Sequence, residues 1–139
     1  MTTSDPGPGT LDPILVVVAA AVIERGNAFL LTRRLKGTHL EGTWEFPGGK
    51  CEHGESLESC LRRELLEELA VDAVVGARLL RTRHAYAERT VERHFLRTEL
   101  IGEPMPQLGQ QMQWVPRGEL AALELPEADA DLIRLLVGG

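Results

Sequence analysis

Between Gly49 and Val71 the chain sets a glycine, a lone Glu55 and an Arg63-Glu64-x-x-Glu67-Glu68 cluster at spacings that suit one element, an amphipathic helix. At about 100° per residue, a helix over Leu57 to Leu69 gathers Glu64, Glu67 and Glu68 into one narrow sector and stacks Leu61, Leu65 and Leu69 in the stripe beside it. The leucines need a sheet to cover them, so this segment constrains the fold of everything around it. The carboxylates need either water or a cation. On an exposed face each like-charge pair costs only about 0.2–0.5 kcal/mol. Partly buried, carboxylates about 5 Å apart repel by roughly 3 kcal/mol per pair at an effective dielectric near 20. A divalent cation reverses that repulsion, and hard oxygen donors suit Mg²⁺ or Mn²⁺. Spacing alone leaves both readings open. Just upstream, Gly48 and Gly49 carry no Cβ and let backbone carbonyls approach the acidic row.

The remainder of the chain supplies the strands. Ile14 to Ile23 is a valine-rich apolar run, too short to span a bilayer and suited to a buried strand. With Ala28 to Thr32 it reads as a hairpin around Glu24-Arg25-Gly26-Asn27. A loop, Arg33 to Thr43, leads to Trp44-Glu45-Phe46. Beyond the acidic helix, Ala73 to Tyr86 and Thr90 to Leu100 read as strands around a bend at Ala87 to Arg89, and Gln111 to Val115 as a last strand. Pro116 to Glu119 opens a brief helix, and Ala128 to Val137 forms a closing amphipathic one. Met1 to Pro13 has no periodicity and is expected to be a flexible leader to a single domain over residues 14–139, a size that supports one core.

The flanks of the acidic helix favour the metal. Gly49, Glu55, Arg63, Glu64, Leu65, Glu67, Glu68 and Val71 fall at their places in the Nudix box, G-x5-E-x7-R-E-U-x-E-E-x-G-U with U apolar, and the chain resembles that family. Ala70 departs, standing where the family ends the helix on glycine. The approach Trp44-Glu45-Phe46-Pro47-Gly48-Gly49-Lys50 resembles the MutT-like branch, whose members cleave nucleoside triphosphates. The resemblance implies an α/β fold, a Nudix-type α/β/α sandwich with a mixed β-sheet. It also implies hydrolysis of a nucleoside triphosphate, such as oxidised dGTP or CTP, to the monophosphate and pyrophosphate. Another nucleoside diphosphate derivative is the alternative substrate, and a non-catalytic nucleotide- or protein-binding module the rival function.

Site residues carry over position by position. The resemblance implies metal ligation by Glu64, Glu67, Glu68 and the Gly48 carbonyl, catalysis by Glu64 with Arg63 and Glu67, and phosphate contacts from Arg34 and His39. It places Arg89 at a bend near the substrate and Asp129, in Leu125-Pro126-Glu127-Ala128-Asp129, at the base edge, although a helix N-cap explains an Asp there as well. Two departures stand out. Gln107 to Trp114 holds no acid where many relatives bring one to a metal, and Arg93 occupies a strand position that is usually apolar. Cys60 is expected to be a small packed residue rather than a ligand, because hard cations do not prefer thiolate.

Charge and composition bound the partners. A net charge of −6 disfavours long nucleic acid, while a small anionic nucleotide bridged by metal remains compatible. Two cysteines and no signal peptide point to the cytoplasm, and no segment suits a membrane. Monomer and homodimer both remain open.

Overall fold

The computed structural model describes residues 14–38, 41–123, 125–126 and 129–138. The expected leader, Met1 to Pro13, and His39 lie outside them. The elements run β1 (Ile14–Val22), β2 (Glu24–Arg25), β3 (Ala28–Arg33), β4 (Trp44–Glu45), β5 (Gly48–Lys50), α1 (Leu57–Leu69), β6 (Asp72–Ala85), β7 (Arg89–Ile101) and β8 (Met112–Pro116), then a 3-10 helix (Arg117–Ala122) and α2 (Ala130–Gly138). One four-stranded sheet has the order β5-β1-β7-β6; a second joins β2, β3 and β4, with β8 on the other edge of β3. Strands β1 and β7 are parallel and every other pair is antiparallel, so the larger sheet is mixed.

The expected hairpin between Ile14–Ile23 and Ala28–Thr32 is corrected here. Strand β1 pairs with β5 and β7, and only the short β2 pairs back on β3 around Gly26. The reason is burial. Ala19 to Ile23 are all buried, and a strand covered on both faces belongs in the middle of a sheet, with its partners supplied from far along the chain. At Ile23 the chain crosses to the second sheet, where the Ile23 carbonyl accepts from the Leu30 amide at 3.1 Å.

Alternation along β1 sorts the core into two layers. Ala19, Ala21 and Ile23 meet Cys60, Leu61, Leu65 and Leu69 of α1 on one side. Ala20 and Val22 face the other, with Phe29, Phe95, Leu120, Leu132 and Leu136 beneath the 3-10 helix and α2. Helices therefore cover both faces of the sheet, as the sandwich requires. Among the described residues no helix is long and apolar enough to cross a membrane.

Ser56 caps α1, its Oγ accepting from the Ser59 amide at 3.1 Å. The helix ends at Ala70, which adopts the left-handed conformation (φ 51°, ψ 39°) while its amide donates to the Leu66 carbonyl. Among the described residues it is the one non-glycine with positive φ. An alanine held there costs about 1–2 kcal/mol, partly offset by the lower entropy of its unfolded chain. Ala70→Gly is expected to stabilise the protein by roughly 0.5–1 kcal/mol, read as a higher melting temperature. An unchanged or lower melting temperature would show that the cap is unstrained.

Candidate active site

The acidic helix is held to the preceding loop by one arginine. Arg63 grips Glu55 with both ends of its guanidinium, Nε to Oε2 at 2.8 Å and Nη2 to Oε1 at 2.9 Å. It also donates to the Lys50 carbonyl at 3.1 Å and to Glu64 Oε2 at 2.9 Å. Glu67 is a weaker partner at 3.4 Å, and its side chain is 57% exposed. Glu55 also accepts from the Glu52 amide at 2.8 Å. The Arg63 bonds, assisted by that amide, hold the Glu55 carboxyl down at about 2, and Arg63 is itself raised above its ordinary value by the same contact. Arg63 thus acts as a brace that orients Glu64 rather than as a free cation.

Glycine is required at both positions of the adjoining strand, for different reasons. A Cβ on Gly49 would sit 2.0 Å from Glu64 Oε1, so the absent side chain leaves room for that carboxylate. Gly48 has φ 155°, and a Cβ there would sit 2.0 Å from the Ala19 carbonyl oxygen in the middle of β1. Cys60, fully buried, packs its sulfur 3.7 Å from the Gly49 carbonyl, and burial pushes its thiol up.

Glu68 carries the electrostatic tension of the site. Burial, followed by the charge of and a hydrogen bond to Glu64, with lesser contributions from Glu45 and Glu67, pushes its carboxyl up to about 8. A carboxylate pair that resists ionisation is what a bound cation would relieve, and the donors are hard oxygens suited to Mg²⁺ or Mn²⁺. The ligand set is not fully drawn together: among the described residues no three acidic, imidazole or thiol side chains already form a metal cluster. Glu64 and Glu68 converge, whereas Glu67 leans toward Arg63. The chemistry of these donors, hard carboxylate oxygens, is of the kind a divalent cation takes. In the loop that lacks an acid, the Gln107 amide and Gln110 Nε2 both donate to the Glu68 carbonyl oxygen, at 2.9 and 3.1 Å.

Glu68, Gly48 and Gly49 form one wall of a cavity of about 490 Å³ that also takes in Arg34, Arg89 and Asp129. That volume suits a small-molecule ligand. Of the expected substrate residues, all three of these reach the cavity. Two further residues line the cavity: Glu45, assigned no role from the sequence, and Arg93, which stands out there as a departure from the apolar sheet lining the base pocket. Glu45 pairs with Arg34 at 3.1 Å, and burial raises its carboxyl despite that partner. Arg93 pairs with Asp129 at 3.0 Å. The signal for Glu45 was its place in Trp-Glu-Phe, one residue from a buried Phe46. For Arg93 it was the break in an apolar strand. Asp129 is almost fully buried, and that burial lifts its carboxyl to about 6 against the pull of Arg93.

The profile of the NUDIX domain matches residues 18–135. The 8-oxo-dGTP diphosphatase of Haemophilus influenzae is 38% identical over 91% of this chain and 95% of its own length. The CTP pyrophosphohydrolase of Escherichia coli is 34% identical over 85% and 87%. Among solved structures, that of the E. coli ORF135 protein superposes with a TM-score of 0.77 at 33% identity, covering 89% of this chain and 87% of that one.

Proposed function

We propose, for a chain that belongs to the NUDIX domain family, that the cavity beside α1 is where it hydrolyses nucleoside triphosphates to the monophosphate and pyrophosphate. The protein is a Nudix pyrophosphohydrolase. The observation that carries the assignment of the site is the placement of Glu68 and Gly48 on the wall of a nucleotide-sized cavity that also holds Arg34 and Arg89. Acidic donors for a cation and basic donors for phosphates thus share one space.

Glu64, Glu67, Glu68 and the Gly48 carbonyl would hold the divalent cation. Bound there, it would neutralise polyphosphate charge and lower the pKa of a water. The protein's own groups do the rest. Glu64 has Oε2 tied to Arg63, which leaves Oε1, lodged over Gly49, to take the proton of the attacking water. Arg63, fixed by Glu55, holds the Glu64 carboxylate through its other oxygen, Oε2. Arg34 receives phosphate oxygens, held in place by Glu45 from within the cavity, and Arg89 contacts the substrate from the far end of β7. The wall of β1 and β7 excludes water behind the substrate.

Hydrolysis of the common (d)NTPs, 8-oxo-dGTP and ADP-ribose with Mg²⁺ or Mn²⁺, read as pyrophosphate from the triphosphates and as AMP with ribose phosphate from ADP-ribose, tests the substrate class. Triphosphates are expected to lead in kcat/KM by about tenfold or more, a difference of about 1.4 kcal/mol. Preference for the diphosphate sugar, or inertness toward every nucleotide, would contradict the assignment.

A further inference from the structure

We propose that Arg93 reads the base and that Asp129 positions it, so that the cavity selects a base edge with two hydrogen-bond acceptors side by side, as in cytosine (O2 and N3) or guanine (O6 and N7). This rests on the nucleotide reading above and extends it to base preference. The cavity floor is a cross-strand patch in which Val16 faces Val91, Val18 faces Arg93 and Ala20 faces Phe95. Arg93 is the charged residue at its centre. Asp129 is the hydrogen-bond partner the described residues give it, Nη1 to Oδ1 at 3.0 Å.

Exposure decides which member of the pair meets a ligand. The Asp129 side chain is 4% exposed and that of Arg93 24%. Both residues line the cavity, but the carboxylate is the more deeply buried of the two and holds the guanidinium through one Nη1 bond, while Arg93 is the more exposed member and carries further N–H donors. A buried ion pair adds little stability over a well-packed apolar pair, so the floor does not need this charge to hold together. A planar fork matches two neighbouring acceptors with two parallel bonds. Thymine offers oxygen, N–H, oxygen; adenine sets an amino group beside N1 and N7; guanine oxidised at C8 gains an N–H at N7. Each brings a donor against a donor. Lys50, Val18 and Arg93 lie in one cross-strand row, so Arg93 stands two strand spacings, about 10 Å, from the loop beside the acidic helix. A nucleotide with its phosphates at that loop reaches Arg93 with its base.

The test is calorimetric binding of dCMP, dGMP, dAMP, dTMP and 8-oxo-dGMP in EDTA, with kcat/KM for the matching triphosphates in Mg²⁺. The wild type is expected to favour dCMP or dGMP over the other three. Arg93→Met should cut that preference about tenfold or more, the size of one bidentate base contact. Should the lone Asp129 prevent folding, Arg93→Met/Asp129→Leu replaces both charges with apolar side chains and is expected to lose the same preference. Asp129→Ala should flatten the ranking as well, and Asp129→Asn, whose carbonyl still accepts from Arg93, should restore it. Tighter binding of 8-oxo-dGMP than dGMP, an unchanged ranking in the Arg93 variants, or a reordering by Asp129→Asn alone would overturn the proposal. Failure of every nucleotide both to bind and to be hydrolysed would instead overturn the functional reading beneath it.

Discussion

Glu68→Gln is expected to remove most turnover and yet make the metal-free protein more stable above neutral pH. The two effects have one cause. In the folded protein the Glu68 carboxyl is pushed up to about 8 from an ordinary value of 4.5, by burial first and then by Glu64. Between those values the native state holds a proton that the unfolded chain has released, so stability is full at low pH and is lost as pH rises through about 8. The proton belongs to the Glu64–Glu68 pair rather than to either residue alone. In EDTA the wild-type melting temperature should therefore fall from pH 5 to 8.5, and that of Glu68→Gln should fall less. Mg²⁺ should raise the wild-type melting temperature more at pH 8.5 than at pH 6 and do little for the variant. Loss of the ligand should lower kcat by about 10²–10³-fold, the scale seen when one preorganised electrostatic contact is removed. Identical pH slopes, or an active variant at limiting Mg²⁺, would place Glu68 outside the site.

The adjacent glycines should separate activity from stability. At Gly49 a methyl group would meet Glu64 Oε1, the end of a flexible side chain, which can swing aside. Gly49→Ala should thus fold normally and lose about 10²–10⁴-fold in kcat, the range of a displaced general base. At Gly48 the methyl would meet the Ala19 carbonyl and Ala20 Cα, backbone of a buried strand that cannot yield. Gly48→Ala should lose about 1–3 kcal/mol to overpacking, with a further about 1–3 kcal/mol for a backbone conformation that only glycine enters freely. Denaturant midpoints and turnover measured together read both outcomes. An active Gly49→Ala would show that Glu64 does not need that space.

The helix of the site was legible because its pattern is local. Leucine spacing, the Ser56 cap and the carboxylate row all lie within one element, and α1 spans the expected Leu57–Leu69. The strand partners were harder. Nothing near Ile14 says that it runs beside Arg89, because parallel pairing joins segments far apart in sequence and leaves no turn between them. The same limit applies within the site. Arg63 sits one turn from Glu67, but its main partner is Glu55 across the loop, where a bidentate fork fits better. Asp129 stood out by motif, while its pairing with Arg93 joins residues 36 positions apart and leaves no local signal. Glu45 went unread because its neighbours in the strand are apolar.

The most direct measurement is the product pattern of the wild-type protein acting on CTP and dGTP, resolved by ³¹P NMR with Mg²⁺ and again with EDTA. Nucleoside monophosphate and pyrophosphate should appear in equal amounts with Mg²⁺, and neither should form in EDTA. Nucleoside diphosphate with orthophosphate, or turnover that persists without a divalent cation, would contradict a metal-dependent pyrophosphohydrolase built on the carboxylates of α1.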